Sequence, residues 1–514
     1  MNFFIKKDLA TVIREANDPI IAEDGHSPGL KRSLGAFNLT MLGIGAIIGA
    51  GIFSLTGTAA AHYAGPGIVF SFVIGGVLCA LAGLCYAELA AMIPVAGSAY
   101  AYSYSTMGEL VAWIIGWDLV LEYAFGAVTV SAAWSGYLYS LLHKTLGIDF
   151  PDAVILLTKG PWEKVVLQDG HESHGIFNLP AMVISVVASA VLYRGIKESA
   201  WVNNLIVIVK IVIVCLFILL GISLVSDANL FVNAAASGVG RMVPAQTVVD
   251  GVSRFGWMNG GVLTGAGVVF FAYIGFDAVS TTAQEAKNPK RDLPIGILAS
   301  LVICTILYIL VAITLTGVVN YKELGVPDPI AVGIDRIVEL RGWTPAAKGT
   351  FTFLVKLGAL AGLTSVILVM MLGQTRVFYA MSHDGLLPWF ERTHKKFHTP
   401  HIATVVTGVF VAICGGLMPM SLVGELVSIG TLLAFVLVCA GVAILRVTSP
   451  EIERPFRVPA WQFVCPAGAL ACAWVMWGLP GDTWLRLAVW LVIGFLVYFG
   501  YGIKHSKLRA ARAK

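Results

Sequence analysis

The chain has 514 residues, of which 57% are hydrophobic and only 12% are Asp, Glu, Lys or Arg. Soluble domains carry roughly 25% charged residues, so this chain has about half of what coats a water-facing surface, and its mean hydropathy is +0.83. With a formal net charge of only +4, this balance excludes a soluble enzyme, a disordered chain and a nucleic-acid binder. What remains is an all-α polytopic membrane protein.

Residues 1–35 form a polar tail bearing Lys6, Lys7, Asp8, Arg14 and Glu15, with no apolar run after a basic start. It is not a cleavable signal peptide. From 33 to 87 no Asp, Glu, Lys or Arg occurs, a run of 55 residues. A spanning helix needs about 20 apolar residues, so this run holds two spans joined around His62–Gly67. The strict alternation of a β-barrel strand is missing. The same reading gives twelve candidate spans: 36–58, 68–92, 110–142, 177–194, 200–226, 261–284, 294–318, 350–381, 401–418, 421–445, 463–480 and 484–503. A basic tail, 504–514, follows. The eight cysteines lie in or at the edge of these spans and suggest neither disulfides nor a metal cage.

With both termini cytoplasmic, Lys and Arg divide 22 inside to 10 outside, which supports that orientation. The longest connections, 143–176, 227–260 and 319–349, then lie outside. The first contains His171-Glu-Ser-His174, but without further ligands it reads as a solvated loop rather than a metal site.

Two spans carry irregular sequence where a structural helix would be clean. The first reads Gly43-Ile-Gly-Ala-Ile-Ile-Gly-Ala-Gly-Ile-Phe53, and the sixth reads Phe270-Phe-Ala-Tyr-Ile-Gly-Phe-Asp277. Unwound backbone at membrane depth is tolerated only where it lines a cavity, and breaks at corresponding spans of two halves point to a substrate site. Spans one and six correspond in a five-plus-five inverted repeat, with 36–226 as the first repeat, 261–445 as the second and 463–503 as two additional helices. Freed amides at Ile48, Gly49, Ala50 and Gly51, at a half-helix N-terminus, suit a carboxylate. Freed carbonyls near Phe271, Ala272 and Ile274 suit an ammonium, and Asp277 is placed to cap the following half-helix. Together they describe a pocket for the backbone of an α-amino acid. The competing reading of Gly45-x-x-x-Gly49 is a helix-packing contact. A dinucleotide loop is rejected, because the spacing is wrong and no strand precedes it.

Glu122, about thirteen residues into span three, and Lys210, centred in span five, are ionisable groups at depth and therefore functional candidates. Lys210 reads as a proton carrier whose charged form substitutes for a bound sodium ion. Glu122 reads as a pocket ligand or a second proton site. The alternative is that the two pair with each other or with backbone as a strut. Asp118 is expected nearer the outer aqueous end of its span or in a vestibule, and Lys356, early in span eight, is expected to snorkel.

These motifs resemble the amino acid–polyamine–organocation superfamily, and within it the cationic amino acid transporter branch. The resemblance rests on the glycine-rich segment 43–53, on Tyr86-Ala-Glu-Leu-Ala and on Pro94-Val-Ala-Gly-Ser-Ala-Tyr100. It continues in Gly116-Trp-Asp-Leu-Val-Leu-Glu-Tyr123, in Phe271-Ala-Tyr-Ile-Gly-Phe-Asp277 and in Gly373-Gln-Thr-Arg-Val-Phe-Tyr-Ala-Met-Ser-His-Asp-Gly-Leu-Leu-Pro388. It covers about 36–504. The resemblance implies a LeuT-like fold of twelve transmembrane helices with discontinuous first and sixth spans, and proton-coupled amino acid uptake rather than enzymatic activity. It places carboxylate ligands at Ile47, Ala50 and Gly51, ammonium ligands at Phe271, Ala272 and Ile274, and an outer gate at Phe271. Lys210 matches the fifth-span lysine that stands in for sodium, and Glu122 the third-span acid lining the pocket.

Twelve spans are similar to the bacterial members, which implies the bacterial cytoplasmic membrane. In those members the eighth span controls room for long basic side chains, and Leu363 there leaves both cationic substrates such as arginine or lysine and small neutral ones such as alanine open. The expectation is a symporter driven by a proton gradient, with no cofactor and no sodium, whose partners are an amino acid and lipid. A small single-pass accessory subunit is left open by the sequence. The alternative within the superfamily is an amino acid or polyamine exchanger.

Overall fold

A chain this apolar satisfies its backbone internally, and it does so through helices. The computed structural model describes residues 5–8, 34–93, 98–167, 169–195, 200–249, 252–397 and 399–513. Most of the tail 1–35, and residues 94–97 of the Pro94–Tyr100 motif, lie outside the described residues.

The main helices run in chain order as α1 (Ala36–Ile47), α2 (Ile68–Met92), α3 (Ser98–Thr106), α4 (Glu109–Val120), α5 (Gly126–Ser140) and α6 (Leu179–Arg194). They continue as α7 (Ala200–Gly221), α8 (Val262–Val269), α9 (Ala278–Thr281), α10 (Pro289–Val318), α11 (Pro329–Leu340) and α12 (Pro345–His383). The last are α13 (His401–Leu417), α14 (Met420–Thr448), α15 (Trp461–Trp477), α16 (Gly481–Val497) and α17 (Lys507–Ala513). A π-helical turn at Leu121–Phe125 joins α4 to α5 without ending the helix.

Among the described residues, eight helical segments are long and apolar enough to cross a membrane, and the longest, Ala36–Met92, covers two of the expected spans. The apolar helices α6, α13 and α15 are shorter. Val183 and Val187 on α6, Val405 and Val409 on α13, and Phe463 and Leu470 on α15 are exposed. Apolar side chains left facing outward in this way mark a lipid-facing surface. The chain is therefore a multi-pass helical membrane protein.

Inside this rim, α10 packs on α1 and α2, α7 on α1 and α12, and α5 on α12. The long connections hold small structures, namely hairpins Lys164–Val166 with Glu172–His174 and Thr247–Val249 with Val252–Arg254, and helix α11. His171 and His174 are exposed on the first hairpin, where Glu172 pairs with Lys164 at 2.8 Å.

The start of α4 is fastened to the chain's far end. Glu109 is fully buried and accepts from Tyr104 Oη at 3.0 Å, Tyr498 Oη at 2.8 Å, Arg509 Nε at 2.6 Å and the Ser506 hydroxyl.

Candidate functional site

Helix α1 stops at Ile47 because Ile48 turns to extended backbone, its N–H making the last bond of the helix to Ile44 O at 2.9 Å. Helical conformation resumes at Ala50 and continues through Gly51–Leu55. The amides of Gly49, Ala50 and Gly51 therefore open a new half-helix, where first-turn N–H groups have no intrahelical partner and the dipole is positive. This corrects the expected donor set at two positions. The Ile48 amide is already used, and the Ile47 amide lies within α1.

In the sixth span, α8 passes into a tight turn at Phe270–Tyr273, Ile274 is extended, and Gly275 takes φ = 119°. Only glycine fits there, since a Cβ would also lie 2.8 Å from the Ala46 side chain. At Gly51 a Cβ would lie 2.2 Å from Ala272 Cα. The two breaks thus meet backbone to backbone, and the glycines serve packing and unwinding together.

One side chain ties the breaks together. Tyr308 of α10 donates to Ile47 O at 2.7 Å and to Ala272 O at 2.8 Å. Of the carbonyls expected to receive an ammonium, Phe271 O takes the Ile274 N–H at 3.2 Å and Ala272 O takes Tyr308. Each retains a second lone pair. The Phe271 side chain is buried beside them, and Leu363 is buried in α12.

Lys210 is fully buried, and it bonds to backbone, as the strut alternative allowed, rather than to Glu122. Its Nζ donates to Gly45 O at 2.7 Å and Ile48 O at 3.0 Å, the carbonyls freed where α1 ends. Helix C-termini carry partial negative charge, so the ammonium stands where a cation is favoured. Gly362 gives it room, for a Cβ there would lie 2.9 Å from Lys210 Cε.

Glu122 is fully buried in the π-helical turn, beside the Asp277 carboxyl and Thr431 of α14. Asp277 does not cap α9. Its Oδ2 instead accepts from Tyr123 Oη, and its backbone carbonyl accepts from Ser280 N at 2.8 Å. The local chain places Glu122 and Tyr123 on neighbouring faces of one turn, so both reach the sixth span.

Two expectations about depth fail. Asp118 is 1% exposed and lies against Gly430, so its side chain is packed inside the protein rather than open to water. Lys356 does not snorkel. It is 1% exposed and donates to Ser140 Oγ at 2.8 Å and Thr145 Oγ1 at 3.1 Å. Sequence reasoning also missed Tyr308 and gave Tyr123 no role. The signal available for Tyr308 was that it is the one aromatic residue of α10.

The amino acid permease family profile matches residues 34–500, most of the chain. The chain belongs to this family. It is 43% identical over 491 residues to the branched-chain amino acid permease BcaP of Bacillus subtilis, covering 95% of this chain and 97% of that one. It is 41% identical over 501 residues to the methylthioribose transporter of the same species, covering 97% and 100%. With the vacuolar cationic amino acid transporter 2 of Arabidopsis thaliana the identity is 35% over 449 residues, covering 86% of this chain and 64% of that one. The permease is thus a transporter and not an enzyme. It belongs to the superfamily that its motifs resemble.

Proposed function

We propose that this permease is a proton-coupled L-amino acid symporter working by alternating access. The observation that carries the reading is Lys210, buried among the described residues without a carboxylate partner and bonded to the two carbonyls at the end of α1. A lysine there holds the broken helix when charged and releases it when neutral. One proton can thus control the geometry of the substrate site, with no sodium and no cofactor. Gly49, Ala50 and Gly51 bind the substrate carboxylate, and Phe271, Ala272 and Ile274 bind its ammonium. Phe271 is the outer gate and Glu122 the second proton site.

The fold that accompanies this reading has twelve spans, counting Ala36–Met92 as two and including α6, α13 and α15. They form a LeuT-like inverted repeat over 36–226 and 261–445, with two further helices at 463–503. The tail and residues 504–514 lie in the cytoplasm, beneath a bacterial cytoplasmic membrane. For the side chain we favour neutral amino acids, because buried Leu363 limits length and two relatives at 41–43% identity are named for methylthioribose and branched-chain amino acids. A cationic substrate is the second reading, drawn from the plant relative's name.

The test is uptake of labelled leucine, alanine and arginine into proteoliposomes, with and without an inward proton gradient. Accumulation above the external concentration only with the gradient supports symport. Strict dependence on internal amino acid, with no effect of the gradient, overturns it in favour of exchange.

A further inference from the structure

Three acids lie along the first half of span three, and the chain treats them differently. Glu109 is saturated by four donors, three of them tyrosine or serine hydroxyls and one Arg509. Asp118 and Glu122 are equally buried, yet Glu122 has the Asp277 carboxyl and Thr431 beside it, whereas among the described residues the Asp118 carboxyl has no hydrogen-bond partner on either oxygen. A buried acid without partners is costly and marks function rather than support. Asp118 has no use in the site described above.

Its position suggests one. Asp118 and Glu122 are four residues apart, hence on one helix face and separated by a rise of about 6 Å. Both point into the seam with α14, Asp118 Oδ1 against Gly430 and Glu122 beside Thr431. The charged groups acting on Glu122 are Asp277 from the sixth span and Asp118 from its own helix. With the chain entering span three from the cytoplasm, Asp118 lies on the inner side of Glu122. The neighbouring Trp117 turns the other way, donating its indole N–H to Trp490 O at 2.8 Å.

We propose that Asp118 is the inner station of the proton path. The O–H bond on the Glu122 carboxyl breaks as an O–H bond forms on Asp118 through one bridging water, a distance within reach of such a relay. Asp118 then passes the proton to water on the cytoplasmic side. Asp118 is a proton-transfer residue and touches no substrate. This inference rests on the proton-coupled reading above.

The test uses the full-length permease in proteoliposomes with labelled leucine, in two modes. One is accumulation driven by an inward proton gradient, and the other is counterflow against internal leucine without a gradient. Asp118→Asn keeps the shape but cannot take the proton. It is expected to lower gradient-driven accumulation about tenfold or more, leaving counterflow within about twofold of wild type. Asp118→Glu restores the gradient-driven mode. Wild-type accumulation by Asp118→Asn, or equal loss of both modes, overturns the relay while leaving the symport reading standing. A wild-type protein with counterflow but no gradient-driven accumulation overturns the symport reading itself, and the relay with it.

Discussion

Tyr308→Phe removes one hydroxyl and little else. The ring packs against Phe72 and Tyr273 at centroid distances of 5.4 Å in both cases, and phenylalanine keeps those contacts. What disappears is the shared donor to Ile47 O and Ala272 O, at 2.7 and 2.8 Å. An unmade hydrogen bond at a buried acceptor costs about 1–3 kcal/mol. One proton serves both carbonyls, so the loss is about 2 kcal/mol rather than the sum of two full bonds. If the tether holds the two breaks in the geometry that receives an amino acid, that loss appears as a roughly 30-fold weaker affinity. The assay is the leucine concentration dependence of uptake, beside the melting temperature of the purified protein. Affinity within about twofold of wild type, with or without a lower melting temperature, refutes the claim that Tyr308 organises the site.

Lys210→Met should abolish gradient-driven accumulation and leave counterflow measurable. Intact accumulation in vesicles would remove Lys210 from the coupling mechanism. Leu363→Ser shortens and polarises the buried eighth-span residue, and inhibition of leucine uptake by arginine should then improve. An unchanged inhibition profile takes this position out of the specificity argument. Glu109→Gln leaves Arg509, Tyr498 and Tyr104 facing a neutral amide. Breaking a buried pair costs about 3–5 kcal/mol, and because Arg509 reaches some solvent we expect the low end, about 3 kcal/mol. It should show as a lower melting temperature and as early proteolysis within α17. A wild-type melting curve would mean that the far end of the chain is not held through Glu109.

The membrane character, the helical class and the two breaks were legible in the sequence because a bilayer forces composition on a chain. No charge can enter 33–87 without a partner, and glycines such as Gly51 and Gly275 stand where backbones touch. Depth was less legible, and the reason is specific. Lys356 lies in the early turns of α12, which begins at Pro345, and what buries it comes from the end of span three, more than 200 positions away in sequence. The ammonium is held by the hydroxyls of Ser140 and Thr145, at the end of span three.

Partners were least legible of all. Lys210 finds Gly45 across 165 positions of sequence, and Tyr308 finds Ile47 across 261. No local pattern encodes such pairings, because a freed carbonyl accepts from whichever donor the fold delivers. The sequence rule that marked Lys210 and Glu122 as functional applies equally to Asp118, Asp277 and Lys356, all of them buried. Satisfaction by neighbours is what separates them. Lys356 has its hydroxyls, Asp277 has Tyr123 on one oxygen and Glu122 has Asp277 and Thr431 beside it, whereas Asp118 has no hydrogen-bond partner among the described residues. A side chain that the fold has fully bonded is held in one state, and a proton carrier must exchange between two. By that criterion the relay proposed above belongs to the Asp118 carboxyl, and Lys210, held by Gly45 O and Ile48 O, remains in the symport reading the group whose protonation grips or frees the broken helix.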